Sequence, residues 1–485
     1  MDESGPFDGL HEECGVFGIC APSAGGVGAD VVNDAFVALF ALQHRGQEGC
    51  GIAVNDAGVI TAHKAPGLVG DVFTPDVRAL LGTGDMAVGH CRYATTGRAL
   101  TGNIQPLLVN HLKGSMALAH NGNLVNAREL RDELERGGAI FHGTSDSEVL
   151  AYIITQERLT APSIEEAVRR AMGRVQGAVS SVIMSARKLI GVRDALGLRP
   201  LCLGRIGEDG WVIASETCAL DSIDATFVRD IDPGEIVVVQ AGLEPVSLRM
   251  DVVPPRRLCV FELIYFARPD SVVDGTSVHA ARLRAGALLA IDHPVAADVV
   301  VGVPDSGIDA ALGYARQSGI PYGIGFIKNK YIGRTFIQPS QRQRENAVRI
   351  KLNPIADTVR GKRVVLVDDS IVRGTTITRI VGLLREMGAA QVHVRLSAPP
   401  FLYPCYYGTD IASSDALIAH DHSVEQVRAL IGADSLGYLS VDDLPKLDAS
   451  GHGGFCDACF TGNYPTAVPT AAGRLMFERH LSEEV

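Results

Sequence analysis

No stretch of about 18 consecutive apolar residues occurs in this chain of 485 residues, which leaves no candidate for a membrane-spanning helix. A basic excess is also lacking. The formal net charge is -12, the wrong sign for a general binder of the nucleic-acid backbone. The first 13 residues, MDESGPFDGLHEE, are acidic and have no apolar core, so they are not a secretory signal. No internal repeat is present. With membrane insertion and secretion set aside, a cytoplasmic location is expected. There the ten cysteines stay mostly reduced, and a cysteine cluster reads as metal-binding or catalytic rather than as disulfides.

What is present is the composition of an ordinary globular protein, 46% hydrophobic and 21% charged, with 53 glycines. The length suggests two to four domains at roughly 100–200 residues each. From Cys14 to about Met250, short apolar runs such as GVFGIC, MAVGHCRYA, SMALAHNGNL and AVSSVIM alternate with Gly- and Asn-rich turns. Helical stretches fall at 30–43, 126–137, 145–157 and 163–174. This pattern predicts two sheets with helices attached, an α+β layered domain over 14–250. After about 255 the pattern changes. Strands DVVVGVP, YGIGFI, RVVLVDDS and QVHVRLSA alternate with helices at 278–291, 307–318 and 375–388. That alternation predicts an α/β domain with a parallel sheet over 255–450. Residues 451–485 form a tail with little periodicity.

The most specific motif runs from Val364 to Thr376, VVLVDDSIVRGTT. A buried strand ends in two acids, Asp368 and Asp369, followed by a Gly/Ser/Thr turn and a helix. Ligands of open parallel sheets bind beyond the carboxyl ends of the strands, and turn and helix N–H groups cradle anions there. Paired acids beside a phosphate suit sugar hydroxyls and Mg²⁺. A dinucleotide site is disfavoured because the G-x-G-x-x-G fingerprint is absent. The segment 328–353, KNKYIGRTFIQPSQRQRENAVRIKLN, is long, basic and polar, as functional or disordered loops are.

The motif closely resembles the phosphoribosyl pyrophosphate (PRPP) loop of the type I phosphoribosyltransferases. That resemblance implies that Asp368 and Asp369 face ribose hydroxyls and Mg²⁺, one ion per subunit, while Arg373, Gly374, Thr375 and Thr376 hold the 5-phosphate. Pro304, Asp305, Ser306 and Gly307 look like the family's pyrophosphate loop, with Ser306 as a further metal ligand. The basic segment is similar to the family's lid, with Lys328, Lys330 and Arg334 near the pyrophosphate.

In the first half, EECGVFG, LQHRGQE, GHCRYATTG, AHNGNL and GTSDSE are dense in polar groups that a core does not need. A cysteine attacking an amide requires a base, an oxyanion hole and a grip on substrate. Taken singly, Asn-Gly marks a hairpin turn and a strand cysteine is packing. Together and in order, the motifs resemble the glutamine amidotransferases with an N-terminal cysteine nucleophile. The resemblance implies Cys14 as nucleophile, with its own α-amine as base, and Asn121 with Gly122 as the oxyanion hole. Arg92 would hold the glutamine α-carboxylate and Asp146 its α-amino group. Because Cys14 is internal, residues 1–13 are expected to be a propeptide, cut between Glu13 and Cys14.

Four late cysteines, Cys259, Cys405, Cys456 and Cys459, suit Zn²⁺ or an iron–sulfur cluster by ligand type alone. Both halves together are similar to the amidophosphoribosyltransferases, in particular the propeptide-bearing branch, and that likeness implies one [4Fe–4S] cluster per subunit on these four, with Zn²⁺ as the other occupant. Cys20, Cys50, Cys91, Cys202 and Cys218 are read as packing. The resemblance further implies that glutamine, PRPP and water give 5-phosphoribosylamine, glutamate and pyrophosphate, opening purine synthesis, with ammonia channelled between two sites. It also implies purine nucleotides as feedback inhibitors and a homotetramer. The competing expectation is a non-catalytic PRPP- or nucleotide-sensing regulator on the same fold.

Overall fold

The computed structural model describes residues 14–22, 30–93, 101–329, 352–409, 411 and 413–469. The expected propeptide, Lys330, Arg334 and most of the basic segment lie outside these residues. Among the described residues no helix is long and apolar enough to cross a membrane.

The first half is built on two antiparallel sheets. One has seven strands: β1 (Gly15–Cys20), β2 (Gly49–Asp56), β3 (Val59–Pro66), β4 (Met86–Arg92), β9 (Cys202–Ile206), β10 (Gly210–Ala214) and β11 (Thr226–Asp230), in the order β11-β9-β10-β1-β4-β2-β3. The other has six: β5 (Leu107–His111), β6 (Gly114–Leu124), β7 (Gly177–Ser185), β8 (Leu189–Arg193), β12 (Glu235–Val239) and β13 (Val246–Arg249), in the order β13-β12-β8-β7-β6-β5.

Strand alternation explains the stacking. Side chains of successive residues point to opposite faces. Val16, Val88, Ala117, Ala119 and Val182 meet in one core between the sheets. Phe17 and Ile19 face the other way, onto helix α1 (Val31–Ala41). Met116 and Leu118 face helices α2 (Ala127–Arg136), α3 (Asp146–Arg158) and α4 (Ile164–Met172). The result is the expected helix/sheet/sheet/helix layering. The sheets approach closely at Gly18, where a Cβ would stand 2.5 Å from a Val182 methyl.

The second half holds four parallel strands: β14 (Val299–Gly302), β15 (Arg363–Asp368), β16 (Gln391–Leu396) and β17 (Ser435–Tyr438). Val365 and Val367 of β15 pack on one core, Val364 and Leu366 on another. A strand covered on both faces reads as an unbroken apolar run, which is why RVVLVD was recognisable. Helices α5 (Val278–Asp292) and α6 (Gly307–Ser318) cover one face. Helices α7 (Thr375–Glu386) and α8 (Val424–Ile431) cover the other.

One expected strand is corrected. YGIGFI does not join the parallel sheet as a full strand. Tyr322 makes a single bridge to Val300, and only Phe326–Lys328 is extended, pairing antiparallel with Leu352–Pro354. Its glycines lie against β14: a Cβ on Gly325 would stand 2.5 Å from a Val301 methyl. The segment packs on the strand's side chains.

Candidate functional site

The alternation that builds the inter-sheet core also builds the first site. Gly15 of β1 stands opposite Cys91 of β4, so Cys14 and Arg92 sit side by side where two neighbouring strands end. By parity with Val16 and Val88, both side chains face the space between the sheets. Asn121 of β6 faces the same space by parity with Ala117 and Ala119. The Cys14 thiol donates to the Tyr93 carbonyl at 3.1 Å and accepts from the Tyr93 N–H at 3.4 Å. Cys14 is 7% exposed and Arg92 4%.

Asn121 is wholly buried, and neither its Oδ1 nor its Nδ2 has a partner among the described residues. A buried carboxamide left unpaired costs about 1–3 kcal/mol, so its retention points to a ligand. Gly122 follows with φ +137°, and a Cβ there would lie 2.1 Å from the Ala178 carbonyl oxygen. Only glycine fits. Asp146, the first residue of α3, is buried and accepts from the Leu124 N–H at 2.9 Å. It thus stands at the end of β6, beyond Asn121 and Gly122.

Four buried residues around this site carried no assignment from sequence. His90 Nε2 lies 3.2 Å from the His120 carbonyl oxygen. Gln105 accepts from the His120 N–H at 2.6 Å and donates to Ser147 at 3.1 Å. His120 Nδ1 lies 3.0 Å from Ser147 Oγ. Together they fix the strand that carries Asn121 to the helix that carries Asp146. The motifs GHCRY and AHNGN contained both histidines, but their bonds join segments far apart in sequence.

The second site lies beyond the carboxyl ends of β14 and β15. Val303 N–H donates to the Val367 carbonyl at 2.9 Å, which places Pro304–Gly307 beside Asp368 and Asp369. Gly307 packs closely there: its Cβ would stand 2.4 Å from the Val367 carbonyl oxygen. The Pro304–Asp305 peptide is cis. Ser306 Oγ donates to Asp369 at 2.5 Å, Ser370 donates to the same carboxylate, and the Lys328 ammonium pairs with Asp305. Burial, then the Asp369 charge, pushes Asp368 well above the usual carboxylate range. Burial also raises Asp369, against the Ser306 and Ser370 hydroxyls. The Arg282 charge and the two hydroxyls offset the burial of Asp369 only in part.

Gly374 takes a left-handed conformation at the start of α7, which aims the first-turn N–H groups at the loop. Thr376 Oγ1 is buried with no partner among the described residues. Arg373 and Thr375 stand in the same turn. This half therefore offers an anion cradle beside an acid pair.

The four late cysteines line one pocket, with Leu198, Phe261, Phe401, Tyr407 and Tyr464 among its walls. Cys259 and Cys456 are register partners of a short parallel pair, Leu258–Cys259 with Phe455–Cys456. Burial pushes the Cys456 thiol up to about 12 and raises Cys259 and Cys459 as well. Among the described residues no group of three or more His, Cys, Asp or Glu is arranged to hold a single metal ion. The pocket lies at the junction of the halves. Leu198, Val125 and Ala178 of the first pack with Cys456, Ala458 and Tyr407, so the tail is held by both. Cys20, Cys50, Cys91, Cys202 and Cys218 are buried, as packing residues are.

Known proteins share this two-part plan. A glutamine amidotransferase domain model matches residues 90–222, and a phosphoribosyl transferase domain model matches residues 283–398. The chain is 48% identical to the amidophosphoribosyltransferase of Bacillus subtilis (strain 168), over 95% of each chain. It is 47% identical to that of Methanocaldococcus jannaschii, over 94% of this chain and 98% of the relative. The glutamine PRPP amidotransferase from B. subtilis, solved in complex with ADP and GMP, superposes with a TM-score of 0.87 at 46% identity, over 95% of this chain and 99% of that one. With a glutamine-type half and a phosphoribosyl-type half in one chain, and this likeness along nearly all of it, the protein belongs to the amidophosphoribosyltransferase family, the glutamine-dependent enzymes of the first step of purine biosynthesis.

Proposed function

We propose that Cys14, freed from residues 1–13, attacks the glutamine amide and releases ammonia that crosses to C1 of PRPP in the second half. The observation that carries this reading is the buried, unpartnered Asn121 carboxamide beside Gly122. It has the chemistry of an oxyanion hole, whose donors act on charge that develops in the transition state. Arg92 takes the glutamine carboxylate and Asp146 its ammonium group. An α-amine titrates near pH 7.7–8.0 in general, so the amine of Cys14 can accept the thiol proton near neutral pH. While residues 1–13 remain attached, that amine is an amide and no base is available.

In the second half, Thr375, Thr376 and the Arg373–Gly374 turn hold the 5-phosphate, and the Pro304–Gly307 loop holds pyrophosphate. Lys328 stands by this loop; Lys330 and Arg334 are assigned to the pyrophosphate by the resemblance alone. The buried acid pair suits Mg²⁺ and ribose hydroxyls. Asp368, Asp369 and Ser306 would hold the ion, which supplies positive charge next to the departing pyrophosphate. The cysteine pocket suits a [4Fe–4S] cluster held by Cys259, Cys405, Cys456 and Cys459: its candidate ligands are all sulfur and its walls are apolar. Its role is structural, at the junction of the halves. Zn²⁺ is the alternative that iron and sulfide analysis tests. The ADP and GMP bound to the B. subtilis relative support purine nucleotides as feedback inhibitors here, and family membership supports a homotetramer.

Cys14→Ala tests the two-site reading. It should abolish glutamine-dependent synthesis of phosphoribosylamine and leave ammonia-dependent synthesis. Loss of both activities would count against it, and so would glutaminase activity in the uncut chain. A non-catalytic sensor of PRPP or nucleotides would show neither activity.

A further inference from the structure

Gln105 is buried and has no part in the reaction just described, yet its side chain stands where a strand would run. Strands β5 and β6 pair antiparallel, with Leu107 opposite Leu118. Two residues further along, the same register would set residue 105 opposite His120. The chain is outside the sheet there, since β5 starts at Leu107. The Gln105 carboxamide takes over the ladder. Its Oε1 accepts from the His120 N–H at 2.6 Å, and its Nε2 donates to the His120 carbonyl at 3.4 Å. A hydrogen-bonded pair in an antiparallel ladder exchanges these same two bonds, and a carboxamide offers the donor and acceptor of a peptide group.

This clamp closes next to Asn121. The His120 carbonyl belongs to the peptide bonded to the Asn121 Cα. His90 Nε2 lies 3.2 Å from the same oxygen, on the side of the other sheet. The Asn121 carboxamide has no partner among the described residues, so its place follows from its backbone. Gln105 is itself tied down. A Cβ on Gly51 of β2 would stand 2.2 Å from the Gln105 carbonyl oxygen, and the Lys64 ammonium donates to the Ile104 carbonyl at 2.6 Å. The Gln105 Nε2 also donates to Ser147 of α3 at 3.1 Å. One side chain thus fastens the strand of Asn121 to the sheet of Arg92 and to the helix of Asp146.

We infer that Gln105 is a positioning residue for glutamine hydrolysis: its carboxamide, paired with His120, sets where the Asn121 side chain meets the oxyanion. This inference rests on the proposed roles of Cys14 and Asn121. Its signature is a loss in the transition state and not in binding. An oxyanion donor works only where the charge develops, and a misplacement of about 1 Å costs roughly 100-fold. Substrate in the ground state is held by the Arg92 and Asp146 side chains instead.

The experiment uses the processed full-length protein and 6-diazo-5-oxo-L-norleucine, a glutamine-shaped diazoketone whose carbonyl takes the place of the amide carbonyl. Labelling of Cys14 is followed by mass spectrometry, which gives a binding constant KI and a limiting rate kinact. Alkylation of Cys14 by iodoacetamide, and glutamine-supported and ammonia-supported synthesis of phosphoribosylamine, are measured in parallel. In Gln105→Met, kinact and the glutamine-supported kcat should fall about tenfold or more. KI, KM for glutamine, the iodoacetamide rate and the ammonia-supported rate should hold within about twofold. Gln105→Glu keeps an acceptor for the His120 N–H. It should lie between Gln105→Met and the parent, and it carries the test if Gln105→Met folds poorly. A purely structural role would lower the melting temperature and leave kinact unchanged, which would overturn the inference. So would a rise in KI with kinact held, or glutamine and ammonia rates that fall together in both variants. A parent whose Cys14 takes iodoacetamide but not the diazoketone would sink the reading of the glutamine site along with the inference.

Discussion

The ring Nε2 of His90 lies 3.2 Å from the carbonyl oxygen of His120, a bond that joins the two stacked sheets next to Asn121. Burial pushes His90 down to about 3. The ring is therefore neutral near neutral pH, and it donates to this carbonyl from Nε2. An unfolded histidine binds its proton below about pH 6.5, while the folded one waits until about 3. The unfolded state then holds more protons between these values. Stability from this group is complete above about 6.5 and is lost as pH falls, by roughly 1.4 kcal/mol per unit. Urea unfolding of the parent and His90→Gln should show it: from pH 6.5 to 5 the parent should lose about 2 kcal/mol more than the variant. Parallel losses would contradict this.

Asn121→Leu should trade activity for stability. It removes two buried polar atoms that lack partners among the described residues, so unfolding free energy should stay level or rise by about 1–3 kcal/mol. Glutamine-dependent kcat should fall about 100- to 1000-fold, the usual cost of one oxyanion donor. Ammonia-dependent turnover should persist. A variant both less stable and fully active would refute the assignment.

Thr376→Val makes the same argument for the phosphate turn. The buried Thr376 hydroxyl lacks a partner among the described residues, so an isosteric methyl should leave the melting temperature level or slightly higher. If the hydroxyl meets the 5-phosphate, KM for PRPP should rise about tenfold, the loss of one hydrogen bond to a charged group. Unchanged PRPP kinetics would remove Thr376 from the site.

Cys456→Ser should abolish bound iron and sulfide in the purified protein and lower the melting temperature. Cys456 belongs to the apolar cluster that holds the tail against both halves, so proteolysis within 451–469 should speed up. Equal metal content in parent and variant would exclude Cys456 as a ligand.

Most of the fold was legible because its signals are local. Alternation in GVFGIC and SMALAHNGNL, and the unbroken apolar run RVVLVD, carry their burial on their faces. YGIGFI misled because it pairs with β14 only around Val300, through the Tyr322 bridge and the Gly323 N–H, before Gly325 packs on the Val301 side chain. Motif residues were also legible. Cys14, Arg92 and Asn121 share the parity of the inter-sheet core, and Asp368 with Asp369 ends a buried strand. The supporting residues were not. Gln105 with Ser147, and Arg45 with Glu262, meet across 42 and 217 positions of chain. Nothing local marks one as the partner of the other. The four late cysteines stood out in the sequence as a set, while the place of their pocket between the halves depends on Leu198 and Ala178.

The central claim is that glutamine nitrogen is released in one half and used in the other without leaving the protein. The direct measurement is the ¹⁵N content of phosphoribosylamine made by the processed protein from amide-¹⁵N glutamine and PRPP, in the presence of excess unlabelled ammonium. Most of the product should carry ¹⁵N. Product whose label falls to that of the mixed ammonium pool would contradict it.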